Sequence, residues 1–131
     1  MAINKETENF GVPWEAGYGY AQATKIGHAI YLSGQVSHDE AGNIVGEGDM
    51  RAQMAQAYKN VKALLARYGA TMDNVVDEVL FVTDMESAFA AAGECRAQAF
   101  GGPPVVSSTI VQIQALAMPA FMIEIKCVAI L

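Results

Sequence analysis

The chain has 131 residues, 53% of them hydrophobic and 17% charged, with a net charge of −6. That length suits one domain over residues 1–131 with a core of its own, and a surface so poor in charge suits partial burial against other copies of the chain. The acidic balance and the scatter of the basic residues (Lys5, Lys25, Arg51, Lys59, Lys62, Arg67, Arg96 and Lys126) leave no phosphate-binding stripe, so nucleic acid is not an expected partner.

Residues 1–16 read as an irregular arm, because Gly11 and Pro13 break any periodicity around Phe10 and Trp14. The polar start Met1–Glu6 carries no signal-peptide pattern, and no apolar stretch is long enough to span a membrane. Tyr18–Ala23 reads as a first strand, Lys25-Ile26-Gly27 as a turn and His28–Leu32 as a second strand, together a hairpin. A turn at Asp39–Asn43 precedes a short strand at Ile44-Val45. Asp49 then caps a long helix reaching Tyr68, with Met50, Met54, Ala57, Val61, Leu64, Leu65 and Tyr68 on its apolar face and Gly69 as its stop.

Val75–Val82 is strongly β-prone. A second helix is predicted from Glu86 to Phe100, capped by Asp84, with Phe89, Ala92, Cys95 and Ala99 inward, and Gly101-Gly102-Pro103-Pro104 ends it. Two strands close the chain, Ser108–Gln114 and Phe121–Ile130. In the last, Phe121, Ile123, Ile125, Cys127 and Ala129 share one face and Met122, Glu124, Lys126, Val128 and Ile130 the other. This order predicts an α+β domain, a mixed sheet with two helices packed on one face. Cys95 and Cys127 read as reduced core thiols, which with the missing secretion signal makes a cytoplasmic location the expectation.

The chemistry-bearing positions are few. The run His28–Leu32 ends abruptly in Ser33-Gly34-Gln35, where glycine admits close approach to the main chain and serine and glutamine offer hydrogen-bonding groups; this is a pocket wall or a plain strand exit. Glu124 sits inside an apolar strand, where it either positions a water or is neutralised by Lys126 on the same face. Tyr20 and Gln22 alternate toward a cleft or pack, and Ser107-Ser108-Thr109 offers hydroxyls at a strand start or serves the proline turn. His28, His38, Cys95 and Cys127 have no zinc-site spacing, and His38 belongs to a polar, solvated turn. No phosphate loop, nucleophile elbow or dinucleotide fingerprint occurs.

Taken in order, Tyr20-Ala21-Gln22-Ala23, Ile30–Gln35, Gln53 with Asn60-Val61, Val82-Thr83-Asp84, the proline turn before Ser107-Ser108-Thr109, and Ile123–Ala129 resemble the Rid (YjgF) family. The resemblance covers Tyr18 to Ile130. It implies a chorismate-mutase-like fold assembled as a homotrimer, with clefts for a small-molecule ligand between subunits. It also implies cofactor- and metal-free hydrolysis of reactive enamines or imines to a carbonyl product and ammonia. The family's tyrosine falls on Tyr20 and its serine-glycine pair on Ser33 and Gly34. Its glutamate falls on Glu124, which with the Gly34 carbonyl would hold the attacking water, while Ser108 and Thr109 would contact substrate. The family's carboxylate-gripping arginine falls on Ser108, or on Val106 when aligned from Pro104; Arg96 and Lys126 are the candidate replacements. The serine of the family's Tyr-Ser-Gln-Ala pattern is Ala21 here. The resemblance thus implies a Rid-like hydrolase whose substrate is not the usual 2-imino acid; the alternative is a non-catalytic metabolite-binding trimer. A ribonuclease role conflicts with the acidic balance.

Overall fold

In the computed structural model, which describes residues 3–131, the chain forms β1 (Glu6–Glu8), α1 (Pro13–Tyr18), β2 (Ala23–Ile26), β3 (Ala29–Leu32), α2 (Met50–Ala66), a 3₁₀ turn (Met72–Asn74), β4 (Val75–Val82), α3 (Met85–Phe100), β5 (Ser107–Gln112) and β6 (Ile123–Ile130). One six-stranded sheet runs in the order β1-β2-β3-β6-β4-β5. Only β4 and β5 are parallel, joined by α3; every other neighbouring pair is antiparallel. This is the α+β arrangement expected from the sequence, with α2 against α3, β6 and β3.

Burial explains the layers. Met54, Ala57, Val61, Leu64 and Leu65 of α2 cover Ile30 and Leu32 of β3 and Ile123, Ile125, Cys127 and Ala129 of β6. Both long helices begin where a carboxylate satisfies orphan amides. Asp49 accepts from Ala52 N–H at 3.1 Å, and Asp84 from Ser87 N–H at 3.0 Å. Two polar residues on the buried side of α2 act as pins. Gln53 donates to the Ala120 carbonyl (2.9 Å) and accepts from Met122 N–H (2.9 Å), fixing the entry to β6. Asn60 donates to the Val36 and His38 carbonyls (3.0 and 3.1 Å).

Just ahead of α2, Gly46 has φ +73°, and a Cβ there would stand 2.6 Å from the Ala52 Cβ. Gly46→Ala therefore meets both backbone strain and a clash with the first helical turn. A loss of about 1–3 kcal/mol in denaturant unfolding is expected.

The largest departures from the sequence expectations fall at four places; in addition, the expected strand at Ile44-Val45 is only a single bridge from Ile44 to His38, and Lys25 and Ile26 belong to β2 and not to a turn. Residues 1–2 of the expected arm lie outside the described residues, but the remainder is ordered into β1, paired with β2, and α1. The cause is Pro13 at the first helical turn together with the buried Glu15 carboxylate, which accepts from Phe10 and Gly11 N–H at 2.9 Å each. Tyr18 consequently ends α1 instead of starting a strand, and β2 begins only at Ala23. On α3 the inward face is Ala88, Ala91, Cys95 and Ala99, while Phe89 is 65% exposed. His38 is buried, 3% exposed, with its ring held edge-on by Phe10 and Trp14 (centroids 5.4 and 5.2 Å).

A bulge in β4 matters most for the site. The register with β6 shifts between Val75 and Asp77. Val75 faces the helices, but after the extra residue so do Glu78, Leu80 and Val82. Asp77, Val79 and Phe81 go to the opposite, outer face.

Candidate functional site

The site begins where β3 stops. Main-chain pairing with β6 resumes at Gln35, whose N–H donates to the Ile125 carbonyl at 2.7 Å and whose carbonyl accepts from Ile125 N–H at 2.9 Å. Ser33 turns to the other side, its N–H on the Gln22 carbonyl (2.8 Å) and its hydroxyl on the Ala21 carbonyl (2.7 Å). Gly34 lies between them, and its carbonyl enters no main-chain hydrogen bond among the described residues.

Glu124 lies directly over Gly34. A Cβ on Gly34 would sit 2.6 Å from the Glu124 Cγ and overlap the carboxylate itself. Gly34 has no left-handed φ, so glycine is required here for space alone. Gly34→Ala should fold, with its thermal midpoint little changed, yet displace the carboxylate. If Glu124 is a reacting group, turnover by that variant should fall at least tenfold, since small misplacements of such a group cost rate steeply.

Glu124 is half-buried on the outer face, opposite Phe81 in the register. Burial pushes its carboxyl above the ordinary range, and the Lys126 charge on the same face pulls part of the way back. No Glu124–Lys126 salt bridge forms among the described residues. The Lys126 ammonium instead donates to the Leu32 carbonyl at 2.9 Å.

Tyr20, just ahead of β2, is 37% exposed. Burial raises its phenol; hydrogen bonding from Trp14 and Gln22 opposes that, and the Glu15 and Glu124 carboxylates add to it. Hydrogen bonds tie Tyr20 through Gln22 and Gln35 to the Ser33 carbonyl, and Glu124 lies against the adjoining Gly34.

Ser108 does not join them. It pairs with Glu78 in the parallel β4–β5 ladder and shares its helix-side face. Its hydroxyl donates to Glu78 Oε2 at 2.6 Å. Glu78 is wholly buried and also accepts from Tyr58 O–H (2.7 Å) and from Arg96 through Nε (2.7 Å) and Nη2 (2.6 Å). Burial next to Glu78 pushes the Tyr58 phenol strongly upward. Arg96 is thus committed to a buried partner behind the sheet and is not a replacement cation for Glu124's side. The cluster escaped sequence reading because only the β4 bulge turns Glu78 inward.

Thr109, by contrast, pairs with Val79 and lies on the outer face, together with Ser107 and Val111. It stands two strand spacings from β6, about 10 Å within one chain. Among the described residues no group of three or more His, Cys, Asp or Glu is arranged to hold a metal, and both cysteines are free and buried. Among the described residues, no helix is long and apolar enough to cross a membrane.

Comparison with known proteins identifies the family and the fold. Residues 13–131 match the family described as Endoribonuclease L-PSP. The RutC family protein YjgH of Escherichia coli is 34% identical over 114 residues, 87% of this chain and 84% of that protein. A 2-iminobutanoate/2-iminopropanoate deaminase of Dermatophagoides farinae is 32% identical over 91 residues, 70% of each chain. A crystal structure of a Mycobacterium tuberculosis member of the YjgF/YER057c/UK114 family superimposes with a TM-score of 0.84 at 28% identity, covering 98% of this chain and 100% of the other. The chain belongs to this family, the YjgF/RutC or Rid family of the sequence resemblance.

Proposed function

We propose that the protein is a cofactor-independent hydrolase of small reactive imines or their enamine tautomers. A water held between the Glu124 carboxylate and the free Gly34 carbonyl attacks the imine carbon. Glu124 takes the water's proton and returns it to the imine nitrogen, giving the carbinolamine; it then passes the carbinolamine's hydroxyl proton to that nitrogen as the C–N bond breaks, leaving a carbonyl product and ammonia. The observation that carries this reading is the half-buried Glu124 carboxylate seated on Gly34, with burial raising its proton affinity.

The substrate is a neutral or weakly acidic imine. The β5 positions sharing the Glu124 face, Ser107, Thr109 and Val111, are uncharged, and Lys126 is engaged with a carbonyl. No side chain there offers the bidentate fork that grips a carboxylate. Ser107 and Thr109 remain as hydroxyl donors; Ser108 supports the strand from behind.

The working unit is a homotrimer in a reducing compartment such as the cytoplasm. Tyr31, Val76, Val111 and Ile130 are exposed on the sheet, an apolar surface suited to a second copy, and a neighbouring subunit would supply the missing wall of the shelf. The name of the matching family mentions ribonuclease activity, but a net charge of −6 opposes binding of a phosphate backbone.

The test is ammonia release from enzymatically generated 2-iminopropanoate and from uncharged imines, with the trimer checked by light scattering. Turnover should be dependent on Glu124 and greater for the uncharged substrates. Saturable binding of a metabolite with no turnover on any substrate would instead establish the binding-only reading.

A further inference from the structure

The Glu124 shelf is backed by two buried glutamines, Gln22 and Gln35, 2% and 1% exposed. Gln35 Nε2 lies 3.0 Å from the Ser33 carbonyl and 2.9 Å from Gln22 Oε1. A main-chain carbonyl can only accept, so the nitrogen of Gln35 must face it. That fixes Gln22 in turn, because its oxygen must receive the Gln35 donor. The Gln22 nitrogen is then left facing the Tyr20 hydroxyl, at a long 3.4 Å.

The direction is held against a cost. Gln35 Oε1 is the one buried side-chain acceptor without a partner among the described residues. Flipping Gln35 would not relieve this, because its oxygen would then oppose both the Ser33 carbonyl and Gln22 Oε1. Two amides and one carbonyl therefore define a one-way chain, from Gln35 to Gln22 to Tyr20. At its end the phenol oxygen accepts, and its own hydrogen enters no hydrogen bond among the described residues and is left for a partner outside the chain.

We propose that Gln22 and Gln35 are positioning residues, an amide relay that sets the Tyr20 hydroxyl to donate outward, to the nitrogen of a ligand lying over Glu124. This rests on the imine-hydrolase reading and deepens it, assigning the acceptor-bearing end of the substrate to Tyr20.

The experiment compares wild type, Tyr20→Phe, Gln22→Met and the double variant for kcat and KM on an uncharged imine. Tyr20→Phe should lower kcat about 100-fold, within the range of a positioned proton donor. Gln22→Met should lower it about tenfold with KM within twofold, and should cost nothing further once Tyr20 is Phe. An equal loss from Gln22→Met in both backgrounds would overturn the proposal, because Gln22 would then not act through Tyr20. Should Gln22→Met fail to fold, Gln35→Met offers the same cycle one link back.

Ultraviolet titration supplies a readout independent of turnover, with Tyr20 identified by the absorbance missing in Tyr20→Phe. Losing the Gln22 donor removes a stabiliser of the phenolate, so Gln22→Met should move Tyr20 ionisation to higher pH. No movement would refute the relay even if the hydrolase reading holds. Movement with no turnover in wild type would refute the hydrolase reading and the role given to the ligand nitrogen, while leaving the hydrogen-bond chain standing.

Discussion

Glu124→Gln is expected to lower turnover on uncharged imines by 10²–10⁴-fold, the usual contribution of a positioned general base. The substitution keeps the side chain's shape, so the variant can still occupy the space over Gly34 and hydrogen-bond a water. What it loses is a group able to take that water's proton. KM should change little, because the carboxylate is assigned to the water and not to the substrate. A variant as active as wild type would remove Glu124 from the mechanism.

The same carboxyl predicts how activity and stability depend on pH. Burial raises the Glu124 pKa, with Lys126 opposing. The acid limb of kcat/KM should therefore fall at a higher pH than an ordinary glutamate gives, since the base works only when ionised. For stability the sign is opposite. A carboxyl whose folded pKa lies above its unfolded value contributes nothing at low pH, where both states are protonated. As pH rises from the unfolded pKa through the folded one, the unfolded state loses its proton first, and stability declines. Glu124→Gln should abolish both effects, raising stability at neutral pH relative to wild type while removing turnover. Such a trade marks a residue kept for chemistry.

Much of this site could be read from residue order. The helices at 50–66 and 85–100 followed from Asp caps and apolar spacing, and β4 was legible at its observed bounds because its apolar density leaves no other reading. Glu124 was visible as a carboxylate in an apolar alternation. The N-terminal region departs from expectation because Gly11 and Pro13 read as breakers, whereas Pro13 opens α1 and the Glu15 carboxylate reaches back four and five residues to the amides of Gly11 and Phe10. Phe89 was placed inward on hydrophobicity, but an alanine face lets α3 approach its neighbours more closely than a phenylalanine would. A substrate contact for Ser108 is implied only by the family resemblance, where it aligns with the carboxylate-gripping arginine. Its true partner, Glu78, is turned to the helix side by one extra residue in β4, and a bulge of that kind leaves no mark in Val75-Val76-Asp77-Glu78.

That buried carboxylate carries the largest expected effect on stability. Glu78 is wholly enclosed, with Arg96 Nε and Nη2 and the Ser108 hydroxyl on one oxygen and the Tyr58 hydroxyl on the other. Arg96→Met preserves the apolar stem but leaves the charge with two neutral donors. A destabilisation of about 3–5 kcal/mol is expected in denaturant unfolding, the range for stripping one partner from a buried pair. The loss should come chiefly from the stranded carboxylate and not from the pair's own net worth. Adding Glu78→Leu, Tyr58→Phe and Ser108→Ala should therefore recover most of it, since removing all partners together leaves no buried group unsatisfied. If Arg96→Met costs under 1 kcal/mol, or the apolar replacement is no more stable than the single variant, the cluster is not the anchor described. Because it lies behind the sheet while Glu124 lies in front, the recovered variant should retain catalysis. A core that can be made apolar without loss of turnover, paired with a Glu124 variant that loses turnover without loss of fold, would separate the two carboxylates by role.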